Sequence, residues 1–304
     1  MISILNLGRC DYAIALHLQE TLVELRKQER VGNVLLFVEH PPVITLGRNA
    51  RAGNVVASRE VLAARGVEIH EINRGGDVTF HGPGQLVAYP IFDLRSFEPK
   101  LGVIAYIRLL EEILIRTCAH YTIETQRIAG MTGVWTYATP PPRLNPRQPG
   151  RDYIPAAEEE VAGGPHPPSV GEHGAQPTAW PERKIAAIGV HISRGVTSHG
   201  FALNVTTPLD FFQLIVPCGI SKPVTSIEFE TGFRPSLEEV MTIASRTFGE
   251  LLRSQMLWLE SIHDLMPERS GEASPPAPAA TAQDTPARAP ENLRRIAGDD
   301  IHLA

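Results

Sequence analysis

The sequence contains few cysteines and no long apolar run. Only three of its 304 residues are cysteine and none forms a C-x-x-C pair, so we predict neither a disulfide framework nor a zinc site. No apolar stretch is long enough to span a bilayer, and residues 1–15 lack the basic start and apolar core of a secretion signal. We therefore expect a cytoplasmic protein in a reducing compartment, with no bound metal and no membrane contact.

The chain also lacks an excess of basic residues. Lys and Arg number 28 against 34 Asp and Glu, which gives a formal charge of -6, and the sequence pI is near 6.0. Nucleic-acid-binding domains usually carry a basic patch or stripe, so this composition argues against a nucleic-acid partner. Metabolites or other proteins are the expected partners.

Two segments have too little apolar content to form a core. Residues 139–181 are rich in Pro and Gly and contain an acidic run at 158–160, and the end of the chain is rich in Pro and Ala. Such compositions do not bury enough apolar surface to offset the entropy of ordering. We predict a flexible insertion over 139–181 and a disordered tail over 263–304, which leave one folded domain over 1–262.

The remaining sequence mixes strand and helix patterns without regular βαβ repeats. This order predicts an α+β domain with a mixed, largely antiparallel sheet flanked by helices. Ser236 and Glu239 form a capping box that begins the last helix. Strands are predicted over 2–7, 34–38, 43–48, 67–72, 86–94, 184–193 and 196–205, and helices over 11–30, 58–65, 102–119 and 236–256.

A glycine-dense stretch, RGGDVTFHGPGQ over 74–85, lies between two predicted strands. Glycines allow positive φ and a close approach of backbone to a ligand. Arg74 and His81 add one fixed and one titratable donor. An ordinary hairpin needs only Asn-Gly or Asp-Gly, so the stretch predicts a ligand-binding loop. The alternative is a long hairpin whose glycines only turn the chain.

Cys218 and Lys184 are the candidates for chemistry. Cys218 lies in a tight Pro-Cys-Gly loop, and a thiolate is a strong nucleophile where a cation or helix terminus lowers its pKa. It could equally fill a turn. Lys184 begins an apolar strand, where partial desolvation suits a lysine to proton transfer, although a strand-end lysine can instead extend its ammonium into water. Cys118 shares one helix face with apolar residues and is predicted to be a core thiol.

Several familiar motifs are missing. The sequence contains no G-x-x-x-x-G-K-[ST], no G-x-S-x-G and no H-E-x-x-H. These absences exclude an ATP-binding P-loop, a serine-hydrolase elbow and that zinc motif. A cysteine-hydrolase pair of His81 with Cys218 stays open as a secondary possibility.

Four motifs, read in order, resemble one known family. EHPPVITLGR, RGGDVTFHGPGQLVAYPIFDL, RKIAAIGVHISRGVTSHGFALNV and VPCGI resemble the lipoyl(octanoyl) transferases, over about 11–232. The resemblance implies a fold related to the biotin and lipoate protein ligases, a monomer and no cofactor. It implies an enzyme that moves octanoyl from octanoyl-acyl carrier protein to a lysine of lipoyl domains, the first step of endogenous lipoate biosynthesis. Those domains belong to 2-oxoacid dehydrogenase complexes and the glycine-cleavage H protein.

The resemblance also implies roles for individual residues. Cys218 matches the family's acyl-thioester nucleophile and Lys184 matches its partner. Val78, Phe80 and Ile188 are candidate apolar walls for the acyl chain. The substrate-binding residues that the resemblance implies are Arg74, Gly75, Gly76, Asp77, Val78, Thr79, Phe80, His81, Ala187, Ile188, Gly189, Gly200, Phe201 and Ala202. For docking of the acidic acyl carrier protein, Arg9, Arg48 and Arg51 are candidates.

Three other functions remain to be separated from this one. An ATP-dependent lipoate protein ligase would share the fold but would not need a nucleophilic cysteine. A non-catalytic module would bind a lipoyl domain or an acyl carrier and would never become acylated. A cysteine hydrolase would pass the octanoyl group to water.

Overall fold

The computed structural model describes residues 1–138, 181–216 and 222–265. These ranges form one eight-stranded and one three-stranded sheet with five α-helices. The strands are β1 Ile2–Arg9, β2 Asn33–Glu39, β3 Val43–Leu46, β4 Glu68–Glu71, β5 Val78–His81, β6 Gln85–Ile91, β7 Thr125–Ile128, β8 Met131–Thr136, β9 Lys184–Ser193, β10 Val196–Asn204 and β11 Met256–Trp258. The helices are α1 Tyr12–Lys27, α2 Arg59–Ala64, α3 Val103–His120, α4 Ile227–Thr231 and α5 Leu237–Leu252.

The large sheet has the strand order β11-β1-β2-β6-β10-β9-β8-β7. Strand β1 pairs in parallel with β11 and with β2, and every other pair in this sheet is antiparallel. In the small sheet β3 lies in the middle, parallel to β4 and antiparallel to β5. The predicted α+β class with a mixed, largely antiparallel sheet is confirmed.

The two faces of the large sheet are covered by different helices. Successive side chains of a strand point to opposite faces, so neighbouring positions enter different cores. Ile4 packs with α3 and α5, whereas Leu5 packs with α1. A third, smaller cluster lies under the small sheet and includes Ile44, Phe80 and Phe212. No helix within the described ranges is both long and apolar enough to cross a membrane.

Local sequence signals set several element ends as predicted. The turn between β9 and β10 places Arg194 and Gly195 at φ 51° and 86°, the left-handed pair that a tight hairpin requires. Ser236 caps α5, since its hydroxyl accepts a hydrogen bond from the Glu239 backbone N–H at 3.1 Å. Cys118 is buried in the main core, as predicted.

Two predictions of local structure are wrong. The last helix ends at Leu252 and not near Met256, because Arg253 adopts the left-handed conformation and Met256 starts β11 against β1. The glycine stretch is neither a single loop nor a long hairpin, because residues 78–81 form β5 inside it. Its flanking strands β4 and β6 belong to different sheets. The predicted insertion, apart from Pro181, and the tail beyond Leu265 lie outside the described residues, and the domain bounds of 1–262 remain a prediction.

Three aromatic rings join α5 to the large sheet. Phe248 is fully buried, stacks on Phe201 at a ring-centroid distance of 6.2 Å and contacts Phe92 edge to face at 6.1 Å. We expect Phe248→Ala to lower the free energy of unfolding by about 3–5 kcal/mol, because it leaves a cavity in a close-packed core. Urea unfolding measures this loss.

The matched control is Phe229→Ala, since the Phe229 side chain on α4 is 51% exposed. This change should alter the free energy of unfolding by no more than about 0.5 kcal/mol. Equal losses for the two variants would contradict the packing described for the main core.

Candidate active site

A cavity of about 660 Å³ opens between the small sheet and the β9–β10 hairpin of the large sheet. This volume falls within the usual range for small-molecule sites. The glycine stretch lines one side and the middle of the hairpin lines the other. Of the residues implied by the resemblance, those lining the cavity are Arg74, Gly75, Gly76, Asp77, Val78, Thr79, His81, Lys184, Ala187, Ile188, Gly189, Gly200, Phe201 and Ala202.

Phe80 does not line this cavity. Its ring packs into the cluster under the small sheet, where it stacks on Phe211 at 4.8 Å and meets Phe212 edge to face at 5.5 Å. The prediction of Phe80 as an apolar wall is therefore wrong. Val78 and Ile188 do line the cavity, and their contact with an acyl chain remains a prediction.

The glycine stretch is held against β9 by its backbone. The Gly75 N–H donates to the Val190 carbonyl at 3.0 Å. A Cβ atom at Gly189 would lie 3.0 Å from the Gly75 carbonyl oxygen and 3.1 Å from Arg74 Cδ. Close packing of loop on strand therefore explains this glycine.

The Arg74 side chain is buried and anchors the loop to β3. Its guanidinium donates to the Thr45 carbonyl at 2.7 Å and to the Thr45 hydroxyl at 2.9 and 3.2 Å. It also donates to the Gly75 carbonyl at 3.0 Å. Sequence reasoning missed Thr45, because nothing in its local pattern marks it as a partner of an arginine 29 positions away.

His81 faces the cavity in one defined tautomer. The Gln85 amide N–H donates to the Phe80 carbonyl and to Asn204 Oδ1, so Gln85 Oε1 must accept from His81 Nδ1–H, at 2.8 Å. Burial lowers the pKa of His81 to about 3, and the neighbouring His40 imidazole and the Arg74 charge act in the same direction. The ring is therefore neutral, with its Nε2 lone pair hydrogen-bonded to none of the described residues.

Two further neutral histidines lie beside it. His40 Nδ1–H donates to the Cys10 carbonyl at 2.7 Å, and the Tyr89 hydroxyl donates to its Nε2 at 2.7 Å. His199 Nε2–H donates to Asn73 Oδ1 at 2.7 Å. Burial lowers the pKa of His40 to about 4, and burial together with the Arg74 charge lowers that of His199 to about 3. Sequence reasoning assigned neither histidine to the site.

Tyr12 completes this cluster from the first turn of α1. Its ring lies 5.1 Å from that of His40 and stacks at 6.2 Å on that of His81. Tyr12 also lines the cavity. The only signal for it in the sequence was its place at a helix start.

Lys184 is buried, which contradicts the alternative of a strand-end lysine reaching into water. Its ammonium lies 5.0 Å from the centre of the Trp135 ring, within the range of a cation–π contact. Its backbone N–H donates to the Pro223 carbonyl at 2.8 Å, and the Thr225 N–H donates to the Lys184 carbonyl at 2.9 Å. The chain that follows the Cys218 loop is therefore bonded to Lys184.

Cys218 itself lies outside the described residues, within 217–221. Cys10 and Cys118 are buried, and burial raises their pKa to about 11 and about 12. Neither thiol is suited to nucleophilic chemistry at neutral pH. In the described part of the chain, no three His, Cys, Asp or Glu side chains are grouped to hold a metal ion.

Comparison with known proteins shows which family the chain resembles. A family model described as "Lipoyl protein ligase A/B catalytic domain" matches residues 11–249. An octanoyltransferase of Koribacter versatilis is 53% identical over 304 residues, which cover all of both chains. One of Acidobacterium capsulatum is 52% identical over 276 residues, 88% of this chain and 97% of the relative. A bipartite lipoate protein ligase of Thermoplasma acidophilum superposes with a TM-score of 0.57 at 15% identity, over 84% of this chain and 86% of that one, and shows the same fold.

Because three buried histidines are neutral in the native state, we predict that the protein becomes less stable as the pH falls. Their native pKa values of about 3–4 lie below the unfolded value near 6.5, so below about pH 6.5 the unfolded chain binds more protons than the native one. The free energy of unfolding should then decrease by up to about 1.4 kcal/mol per pH unit for each histidine, down to about pH 4. Urea unfolding at a series of pH values measures this slope.

Replacing one of these histidines should reduce the slope, and His40→Asn is the suitable variant because the amide keeps a hydrogen-bond donor. His17→Asn is the control, since His17 is exposed on α1 and should leave the slope unchanged. A free energy of unfolding that is constant from about pH 7 to about pH 5 would contradict the neutral assignment.

Gly133 on β8 makes room for the lysine. It has φ 122°, and a Cβ there would lie 2.6 Å from the Ala186 carbonyl oxygen and 2.8 Å from Lys184 Cε. Because the Ala186 backbone and Lys184 must shift, we expect Gly133→Ala to reduce the rate of octanoyl transfer by about tenfold or more. Gly66→Ala is the control, since Gly66 also has a positive φ, has nothing within 4 Å of its Cβ position and does not line the cavity. Equal rates in the two variants would show that Lys184 tolerates the displacement.

Proposed function

Because the chain belongs to the lipoyl protein ligase A/B catalytic-domain family and its near relatives over their full length are octanoyltransferases, we propose the following reaction for it. It takes octanoyl from octanoyl-acyl carrier protein and joins it to the lipoyl-domain lysine of 2-oxoacid dehydrogenases and of the glycine-cleavage H protein. Cys218 carries the acyl group between the two as a thioester. The protein acts as a monomer in the cytoplasm.

One observation carries the proposal: the segment after Cys218 is hydrogen-bonded to the backbone of Lys184, and Lys184 lines the cavity. A short connection from a fixed strand keeps a nucleophile and a cation in the same region of the fold. The buried ion pair of Arg183 with Glu230, at 2.8 Å, and the hydrogen bond of Thr225 to Glu230 support the same segment.

Octanoyl transfer to the enzyme begins with attack of the Cys218 thiolate on the thioester carbonyl of the donor. The bond from that carbon to the pantetheine sulfur breaks, and the Lys184 ammonium gives its proton to the leaving sulfur. One thioester replaces another, so the step is nearly balanced in free energy and needs no ATP. Lys184 is left neutral.

In the second half of the reaction, Lys184 regains a proton. The neutral amine of the acceptor lysine attacks the acyl-enzyme carbonyl, the bond to Cys218 sulfur breaks, and Lys184 takes a proton from the attacking nitrogen. The products are an amide, a regenerated thiolate and a charged Lys184. The neutral Nε2 of His81 is an acceptor for N–H groups of the donor or of the lysine.

The cavity mouth suits an acidic donor. Arg48 and Arg51 are exposed, and Arg51 lines the cavity. Acyl carrier protein is generally acidic, so these two cations support its docking at this edge in spite of the net negative charge of the chain. Arg9 is exposed on β1 but does not line the cavity.

The first test is intact mass after mixing the protein with octanoyl-acyl carrier protein, without ATP and without acceptor. We expect an octanoyl adduct that hydroxylamine removes, because thioesters are labile to it, and that an added lipoyl domain discharges. Cys218→Ala should form no adduct, whereas Cys118→Ala, the control for a buried thiol, should form one.

The competing functions give different results in the same experiment. Modification of the acceptor only with free octanoate and ATP would establish a ligase. An adduct that is lost to water at the same rate with and without acceptor would establish a hydrolase. Binding of a lipoyl domain with no adduct and no acylation under either condition would establish a non-catalytic module.

A further inference from the structure

We propose that Asp77 is a positioning residue, which acts through Asn54 on the backbone at Val216, two positions before Cys218. The resemblance places Asp77 among residues that bind substrate. The contacts of its carboxylate point instead to the chain that leads into the nucleophile. This inference rests on the proposed role of Cys218. It identifies the contacts that fix the chain just before that residue.

Both oxygens of Asp77 are used by groups of the same chain. Oδ1 accepts from the Val78 N–H at 2.8 Å and from the Arg51 N–H at 3.3 Å. Oδ2 accepts a short hydrogen bond from the Asn54 side-chain amide. The carboxylate lies at the cavity wall but is oriented by these three donors, so it offers little to a ligand.

Asn54 connects Asp77 to the segment that precedes Cys218. Its backbone carbonyl accepts from the Val216 N–H at 2.8 Å. Beside it, Val55 forms an antiparallel bridge with Ile215, and the Val56 N–H donates to the Leu214 carbonyl at 3.0 Å. Residues 54–56 and 214–216 therefore form one short ladder, whose end nearest Cys218 is the Asn54–Val216 bond.

The two ends of the Cys218 segment are attached to different sheets. Val216 is bonded through Asn54 and Asp77 to the glycine stretch of the small sheet, and Val224 pairs with Lys184 at the start of β9 in the large sheet. A nucleophile misplaced by about 1 Å can lose about 100-fold in rate. Release of one end is therefore expected to slow acylation even where substrate still binds.

The backbone of Asp77 is held independently of its side chain. The Gly47 N–H donates to the Asp77 carbonyl, and the Asn49 N–H donates to the Gly76 carbonyl, both at 3.1 Å. A change confined to the carboxylate should thus leave the glycine stretch in place. This makes the carboxylate–amide pair accessible to substitution without loss of the fold.

The test is a reciprocal exchange of the pair. In Asp77→Asn, the amide oxygen keeps the hydrogen bonds from Val78 and Arg51, so its N–H group faces the N–H group of Asn54. In Asn54→Asp, two carboxylates face each other. The double variant Asp77→Asn/Asn54→Asp restores one donor and one acceptor while Oδ1 still accepts from Val78 and Arg51. Asp210→Asn is the control, because Asp210 is exposed and lies in the helical turn before Val216 without contacting the pair.

Single-turnover acylation by octanoyl-acyl carrier protein is the first readout. We expect each single variant to lower the rate at saturating donor by about 10- to 100-fold while the half-saturating donor concentration changes by less than about twofold. The double variant should recover to within about threefold of wild type. A single variant that instead raises only the half-saturating concentration, or a double variant as slow as the slower single, would overturn the proposal.

The pH profile of Cys218 alkylation by iodoacetamide, located by peptide mass, is the second readout and needs no acyl transfer. We expect the midpoint of both single variants to differ from that of the wild type and to return to the wild-type value in the double variant. Profiles that coincide in all variants would overturn the positioning role. If wild-type protein forms no acyl-enzyme, the proposed function fails, and the alkylation profiles still decide whether the pair positions Cys218.

Discussion

The buried guanidinium of Arg74 is the contact on which the arrangement of the site depends. It ties the glycine stretch to Thr45 on β3 and thereby fixes one wall of the cavity to the small sheet. The adjacent Gly75 N–H then joins that wall to β9 in the large sheet. A buried guanidinium needs most of its donors satisfied, so the loop follows the carbonyl and hydroxyl groups available to it. The cavity is the space that remains between the two sheets.

The charge of Arg74 also affects the protonation of the histidines that line the cavity. Arg74 adds to burial in lowering the pKa of His81 and of His199, so these rings stay neutral while the arginine is charged. In such surroundings an anion is favoured over a further cation. A thiolate and the oxyanion of a tetrahedral intermediate are the anions that octanoyl transfer requires. Neutral imidazoles, fixed by Gln85 and Asn73, supply hydrogen-bonding groups without competing as cations.

Sequence reasoning found the parts of the site that carry a local signature. The hairpin around Gly195, the cap at Ser236 and the α+β class follow from turn chemistry, capping and periodicity, all of which act between residues close in the chain. Glycine density marked the loop with Arg74 and His81, and the start of an apolar strand marked Lys184, whereas the family resemblance supplied the other substrate-binding residues. Thr45, His40 and Trp135 were missed because their importance comes from contacts with Arg74, Tyr89 and Lys184, which lie far from them in the sequence. Phe80 was misassigned because its ring packs on Phe211 and Phe212, which lie more than 100 positions away in the sequence.

The division of the site between two sheets explains why so much of its hydrogen bonding is devoted to joining them. Lys184 belongs to the large sheet, whereas Val216 is attached to the small one through Asn54. The described residues on either side of Cys218 are thus attached to different sheets, Val216 to the small one and Val224 to the large one. Gly189 serves the same end, since a Cβ there would lie 3.0 Å from the Gly75 carbonyl oxygen where loop and strand meet, whereas Gly133 makes room for Lys184 within the large sheet. Residues of both sheets line the cavity, Thr79 of β5 on one side and Ile188 of β9 on the other, so a ligand that fills it bridges the two sheets.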